Sequence, residues 1–338
     1  MSAPTLNAAV AVTPQRISQL AWGYAAPLII EAAIRNQVFD TLEGAPKTIE
    51  QVHQATGASV RGLTAIMNAL CGLELLDKDW QGHYWLTPES DAFLVRSKPA
   101  FMGGLILRTS EQLIPHWLHL NEIVRTGKPA AAVNQEGTGS EFFEQFVSDL
   151  FPMNYPSAQA LAVALNLDQG HVLDLAAGSG VWGIALAQNN PRVYISAVDW
   201  PNVLPITEKT VAQFGLEDQF TFIPGDLLSA DFGVDYDAAI LGHILHSEGE
   251  ARAHALLQKT YDALAPGGAI AIAEFLVNEN RKGPPLGLFF AVNMLVNTDE
   301  GSTYSFEEIS DWLLAAGFTN PHLLPVPGPS PLIVARKP

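Results

Sequence analysis

The sequence predicts an α/β Rossmann-like domain with a mostly parallel sheet, preceded by a mainly α-helical domain. Three observations carry this. The first is Val172-Leu173-Asp174-Leu175-Ala176-Ala177-Gly178-Ser179-Gly180, an apolar run that ends in an acid and a small, glycine-rich turn. Residues 181–187 follow with helical spacing, giving strand, turn and helix, the layout of a nucleotide site at the carboxyl end of a parallel strand. The second is a series of later strands with acids at or just past their ends. The third is a helix–helix–ribbon pattern in the first hundred residues.

In chain order, residues 14–41 form a long apolar helical region broken near Pro27, too apolar around its circumference for a simple surface helix. A second chain packed against it would explain that. Residues 48–57 read as a short helix capped by Thr48, residues 59–76 as another helix, and residues 80–86 as a β-ribbon around Gln81-Gly82. This is a winged-helix pattern. Its second helix opens Ser59-Val60-Arg61-Gly62-Leu63 with one basic residue, and no Arg or Lys lies between Lys78 and Arg96. The arrangement suits dimerisation better than DNA reading. A helical connector follows over residues 101–126 and closes at Gly127-Lys128-Pro129. Residues 134–140 form a polar turn, and a helix starts at Glu141 with Phe142, Phe143, Phe146 and Val147 apolar. The expected domains are 1–110, a connector at 111–165, and 166–338.

In the second half, residues 193–199 form a strand ending in Asp199, 25 positions after Asp174 (199 − 174). An acid at that distance is where a ribose hydroxyl pair is held. Residues 220–226 end in Gly225-Asp226, residues 236–241 form a fourth strand, and Leu264-Ala265-Pro266-Gly267-Gly268 is a turn before the strand 269–274. The glycine spacing lacks the third glycine of the dinucleotide fingerprint and is not a P-loop.

Composition narrows the class. Of the 338 residues, 48% are hydrophobic and 16% charged, which supports sizeable cores and excludes a disordered chain. The net charge is −17, and residues 111–338 contribute −16 of it (10 basic, 26 acidic), a poor basis for neutralising phosphates. Nucleic acid is therefore not an expected partner, and a cationic cofactor is favoured. No run is read as a membrane span, residues 1–14 read as an arm and not a signal peptide, and the single Cys71 excludes an internal disulfide. The expected location is the cytoplasm.

Taken together, the Asp-x-x-x-Gly-x-Gly turn, the acid after strand two, Gly225-Asp226 and the Pro266-Gly267-Gly268 turn resemble the class I S-adenosylmethionine-dependent methyltransferases. With the winged-helix pattern, Trp117-Leu118-His119-Leu120, Gly127-Lys128-Pro129, Glu141-Phe142-Phe143 and Asp199-Trp200-Pro201-Asn202-Val203, the chain is similar to the small-molecule O-methyltransferases typified by the plant caffeic acid enzymes, from about Leu20 to its end. That resemblance implies a mostly parallel seven-stranded sheet, an N-terminal winged-helix dimerisation domain, a homodimer, and S-adenosylmethionine as cofactor with no metal. It implies cofactor contacts at Ala176, Gly178, Gly180, Asp199, Trp200, Asp226 and Leu227. Asp174 organises the turn in this reading.

The resemblance also assigns the chemistry. It implies that His246 is the general base toward a substrate hydroxyl and that Glu274, 28 positions on (274 − 246), holds its imidazole. Imidazole suits the task, with an ordinary pKa of about 6.5. The acceptor is expected to be a small aromatic or polyketide-like molecule, lined by Phe146, Met153, Asn154, Phe290, Asn293 and Met294, with the two asparagines as polar handles. Three departures stand out. Ser247-Glu248 follows the His where the family commonly has Asp-Trp, Thr303 falls where a second catalytic Glu is usual, and Gly242 and His243 replace a Lys and an aromatic residue. They keep two alternatives open: carbon methylation or a methyltransferase-like hydroxylase on the same frame, and, from another class, a ligand-sensing regulator using the winged helix.

Overall fold

A computed structural model describes residues 12–328 and 330–338 and divides the chain into two compact units, the first ending at Ser110 and the second running from Glu111 to Pro338. Most of the expected N-terminal arm lies outside the described residues.

The first unit contains α1 (Gln15–Ala21), α2 (Ala25–Arg35), α3 (Val38–Leu42), α4 (Ile49–Thr56), α5 (Val60–Gly72), the pair β1 (Leu76–Lys78) and β2 (Tyr84–Leu86), α6 (Pro88–Phe93) and α7 (Gly103–Arg108). The first helical region breaks at residues 22–24 and not at Pro27. Pro27 sits in the first turn of α2, where its missing N–H has no helical partner to lose. Residues 15–35 do reach the length and apolarity of a membrane span, against the expectation from sequence, yet the two helices within them are separate. The capping box at Thr48 forms, with the Thr48 Oγ1 accepting the Gln51 N–H and the Gln51 side chain accepting the Thr48 N–H. The ribbon lies earlier than expected. β1 pairs antiparallel with β2, Leu76 opposite Leu86, and residues 79–83 are the turn. Asp79 makes that turn by accepting the N–H groups of Gln81 and His83.

The second unit opens, past a π-helical turn over Thr109–Leu113, with α8 (Ile114–Trp117), α9 (Leu120–Thr126) and α10 (Glu136–Leu165). α10 starts five residues before the expected position and carries Pro152 and Pro156 inside it. Then follow β3 (Gly170–Leu175), α11 (Val181–Asn189), β4 (Val193–Asp199), α12 (Leu204–Gln213), β5 (Phe220–Pro224), β6 (Tyr236–Gly242), α13 (Leu245–Glu248), α14 (Glu250–Ala263), β7 (Leu264–Ala273), α15 (Pro285–Asn297), α16 (Phe306–Ala315), β8 (Thr319–Leu324) and β9 (Leu332–Arg336). The expected turn at residues 264–268 is absorbed into an irregular start of β7.

Seven strands form one sheet in the order β5-β4-β3-β6-β7-β9-β8. The first five are parallel, and β9 runs antiparallel to both its neighbours. Alternate residues of β3 serve opposite faces. Leu173 and Leu175 join the core with Leu256, Leu257, Ile309 and Leu313, while Val172 joins that with Leu161, Trp182 and Leu186. Both faces are covered by helices, so the central strands read as continuous apolar runs. The chain reverses its winding direction at β3, between β4 and β6, which opens a crevice at the carboxyl ends of these strands.

Candidate active site

The expected cofactor residues lie at the carboxyl ends of β3, β4 and β5 or on the turns that follow them. Ala176, Gly178 and Gly180 all have positive φ (56°, 56° and 76°), so the chain coils tightly between β3 and α11. Gly180 lies at φ 76°, and a Cβ there would also crowd Thr207 Cγ2 at 3.0 Å. Asp174 is fully buried beneath the turn and accepts the Gly183 N–H at 2.9 Å. Its other oxygen has no hydrogen-bond partner, and burial pushes its carboxyl up to about 7.

Asp199, at the end of β4, accepts the Gly178 N–H at 2.8 Å and the Trp200 N–H at 2.7 Å. Burial raises its pKa to about 6 against the effect of those two bonds. A carboxylate has about four acceptor positions, so two remain for a pair of hydroxyls. These residues fit a ribosyl, cationic cofactor: the Asp199 carboxylate has acceptor positions left, and the turn at Ala176 and Gly178 lies at the strand end beside it. Trp200 lies 6.2 Å from Phe143 of α10. Asp226, past β5, is already engaged, accepting the Leu228 N–H at 3.0 Å and Arg252 at 2.7 Å. The Leu227 side chain is buried, and its carbonyl accepts Lys259.

Beyond β6 the catalytic candidates come together. His246 Nδ1 lies 2.7 Å from Glu274 Oε2, and the other carboxylate oxygen accepts the His246 backbone N–H at 3.1 Å. Their side chains are 10% and 4% exposed. Burial alone would raise Glu274, but the His246 charge and hydrogen bonds outweigh it and hold the carboxyl below the usual range. The carboxylate can only accept, so Nδ1 is the donor in this bond, and in the neutral ring Nε2 would be the acceptor. Phe290 meets the His246 ring edge-on at 4.9 Å, and Phe275 lies 4.1 Å from Phe290.

His243 stands beside this pair, its ring 6.3 Å from His246 and its Nδ1 buried without a partner; burial drives its pKa down to about 4. His243, His246 and Glu274 bring one potential ligand atom each within 4.8 Å, the metal-type grouping found among the described residues. Two of the three, His246 and Glu274, are bonded to each other through Nδ1 and Oε2. The position of Gly242 is explained by Trp182, whose Nε1 would lie 2.1 Å from a Cβ there.

The expected acceptor residues divide. Phe290 faces the base. Asn293 is held through its Oδ1, which accepts the Trp117 indole N–H at 3.0 Å and the Asn297 amide N–H at 3.1 Å. Asn154 on α10 and Met294 on α15 are buried, Phe146 stacks on Phe142 at 5.2 Å, and Met153 lies on α10 with Phe146 and Asn154. Thr303 donates to the Gly287 carbonyl at 3.2 Å, tying its loop to the start of α15. A cavity of about 420 Å³ borders Phe275 and Gly287 but not His246, and is not taken as the reaction site. Sequence reading missed Arg252, Phe275, Trp182 and the His116–Asn297 bond at 2.6 Å. Of these, only Arg252 left a local mark, as the basic residue four positions after the acid Glu248 on consecutive helical turns.

Two family models match, an O-methyltransferase domain over residues 117–319 and an O-methyltransferase dimerisation domain over residues 18–96. The tetracenomycin polyketide synthesis 8-O-methyl transferase of Streptomyces glaucescens is 29% identical over 330 residues, covering 96% of this chain and 97% of that protein. Among solved structures, a putative O-methyltransferase from Nostoc punctiforme matches with a TM-score of 0.88 at 30% identity, over 97% of this chain and all of the other. Human N-acetylserotonin methyltransferase, solved with S-adenosylmethionine, shares the fold with a TM-score of 0.84 at 24% identity, over 98% of this chain and 99% of that one. The chain belongs to the S-adenosylmethionine-dependent O-methyltransferases that carry an N-terminal dimerisation domain.

Proposed function

We propose that this enzyme methylates a phenolic hydroxyl of a polyketide-type aromatic molecule, with His246 as general base. The observation that carries this is the buried His246–Glu274 pair beside Phe275 and Phe290. The cofactor supplies a methyl group on a cationic sulfur, which a nucleophilic oxygen can displace in line. The protein's part is to make and aim that oxygen. Glu274 fixes the imidazole tautomer and stabilises the imidazolium, leaving Nε2 to accept the hydroxyl proton. Phe275 and Phe290 offer flat apolar surface that orients an aromatic ring and excludes water. Asp199 takes the ribose hydroxyls, the turn at Ala176, Gly178 and Gly180 admits the amino-acid end, and Trp200, Asp226 and Leu227 border the adenine. Phe146, Met153, Asn154, Asn293 and Met294 shape the acceptor pocket, Asn293 through its fixed amide. The polyketide phenol is suggested by the relative from Streptomyces glaucescens, which acts in tetracenomycin synthesis.

Titration calorimetry with S-adenosylhomocysteine, then a screen of hydroxynaphthoates and polycyclic phenols with the new methyl located by NMR, tests this. An O-methyl product, with binding lost in Asp199→Ala, is expected. A C-methyl product would favour the alternative that Thr303 raises, since it cannot serve as a second anion. No binding by the intact protein would overturn the reading.

The enzyme works as a homodimer through its first unit in the same proposal. Ile17, Leu20, Trp22 and Tyr24 are 61–69% exposed on and around α1, a surface that a second copy would cover. The acidic balance and the single arginine at the start of α5 favour neither nucleic acid nor a membrane as partner, and the expected location stays cytoplasmic. Sedimentation that shows a monomer at micromolar concentration would contradict the dimer.

A further inference from the structure

α14 presents two cations on one stripe. Arg252 and Lys259 are seven residues apart, two helical turns, and so share a face. Lys259 Nζ donates to the carbonyls of Leu227, Leu228 and Ala230, and it lies 3.8 Å from the Phe232 ring centre. It pins the loop that follows β5. Arg252 forks. Its Nη2 donates to Asp226 Oδ2 at 2.7 Å and its Nε to Glu248 Oε2 at 2.6 Å. Glu248 is 5% exposed and is the last residue of α13, the single turn that carries His246. Burial raises the Glu248 carboxyl, and Arg252 opposes the rise.

One guanidinium therefore compensates two carboxylates. One belongs to the loop read as the adenine edge, the other to the helix of the base. A four-residue helix has little rigidity of its own, so its aim is set by what grips it. Glu274 holds the His246 N–H, the Ser302 N–H donates to the His246 carbonyl at 2.8 Å, and Arg252 holds the far end through Glu248. The planar guanidinium fork fixes direction as well as charge, which an ammonium cannot do.

We propose that Arg252 is a positioning residue that couples occupancy of the cofactor's adenine edge at Asp226 to the placement of His246, through Glu248. The proposal rests on the reading of Asp226 and His246 given above. A donor arriving at Asp226 redistributes the Asp226–Arg252 bond, and Arg252 passes the adjustment to α13. No device of this kind follows from the glycine turn or from the His246–Glu274 pair. The ionisable groups around His246 are Glu274, bonded to it, His243, Glu248 on its own helix, and Arg252 beyond Glu248.

The test uses the full-length protein, with S-adenosylhomocysteine as probe and imidazole ¹⁵N NMR of His246 as readout, assigned by His246→Asn. Arg252→Met alone strands a buried carboxylate and risks misfolding, so Arg252→Met/Glu248→Gln, which removes both charges, is the main variant, with Arg252→Lys beside it. In the unaltered protein, the probe should shift the His246 signals. In the double variant the probe should bind about tenfold more weakly and leave those signals where they were. Arg252→Lys should bind better than the double variant and still not transmit the shift. An equal His246 response in the unaltered and double-variant proteins overturns the proposal, as does no response in the unaltered protein when the probe binds. Failure of the unaltered protein to bind the probe at all overturns the underlying cofactor reading instead.

Discussion

The half of the site proposed for the cofactor and the half proposed for the acceptor are made of different material. The cofactor half is mostly backbone: Ala176, Gly178 and Gly180 at positive φ, the Gly178 N–H, and strand ends within one βαβ unit. The acceptor half is side chains drawn from distant elements. His246 meets Glu274 from 28 residues away, and Trp117 reaches Asn293 across 176. A backbone site is robust to side-chain change but intolerant of a Cβ. A side-chain site is the reverse, and its function rests on a few bonds.

The sharpest break falls in the acceptor half. Glu274→Gln keeps the shape but cannot hold an imidazolium, and its amide can present N–H to Nδ1 and favour the wrong tautomer. Turnover should fall roughly a hundred- to a thousandfold, with S-adenosylhomocysteine affinity unchanged by calorimetry. Equal losses in both would merge the two halves. Next comes Gly242→Ala, where the new Cβ would lie 2.1 Å from Trp182 Nε1. Urea denaturation should show a loss of about 3 kcal/mol, and an unchanged midpoint would mean that Trp182 moves aside freely.

The third prediction concerns pH. Asp174 keeps its proton up to about pH 7 in the folded chain, against about 3.9 for an ordinary aspartate. Between those values the folded state binds more protons than the unfolded one, so stability falls as pH rises through that window. Asp174→Asn removes this share of the slope and leaves the smaller share from Asp199. Without cofactor, the variant should match the parent near pH 3, and its advantage should grow by on the order of 3 kcal/mol between pH 5 and pH 8. A constant difference across pH would remove Asp174 as the cause. Smallest is Ser305→Ala, which deletes the cap bonded to the Glu308 N–H at 3.2 Å and should cost about 1 kcal/mol in a thermal melt.

The same contrast explains what was legible in the sequence. β3, its turn and α11 announce themselves because strand, glycine turn and helix are contiguous, and Asp199 follows at a fixed remove. The Thr48 cap and the strand ends are equally local. His246 and Glu274 were found only because the resemblance supplied the spacing between them. The bonds that Trp117 and Asn297 donate to the Asn293 oxygen leave no mark near it in the chain. The sequence places the ribbon too late because Trp80 looks strand-like, while Asp79 makes the turn there through its own side chain. Arg252 was passed over because its two partners lie on separate elements, one of them 26 residues before it.

The measurement that tests the central claim most directly is methyl transfer by His246→Ala, run beside S-adenosylhomocysteine calorimetry on the same protein. The account predicts a loss of roughly a thousandfold in turnover of a polycyclic phenol, with cofactor affinity within about twofold of the parent. Near-normal turnover with intact binding would contradict it and place deprotonation of the acceptor on another group.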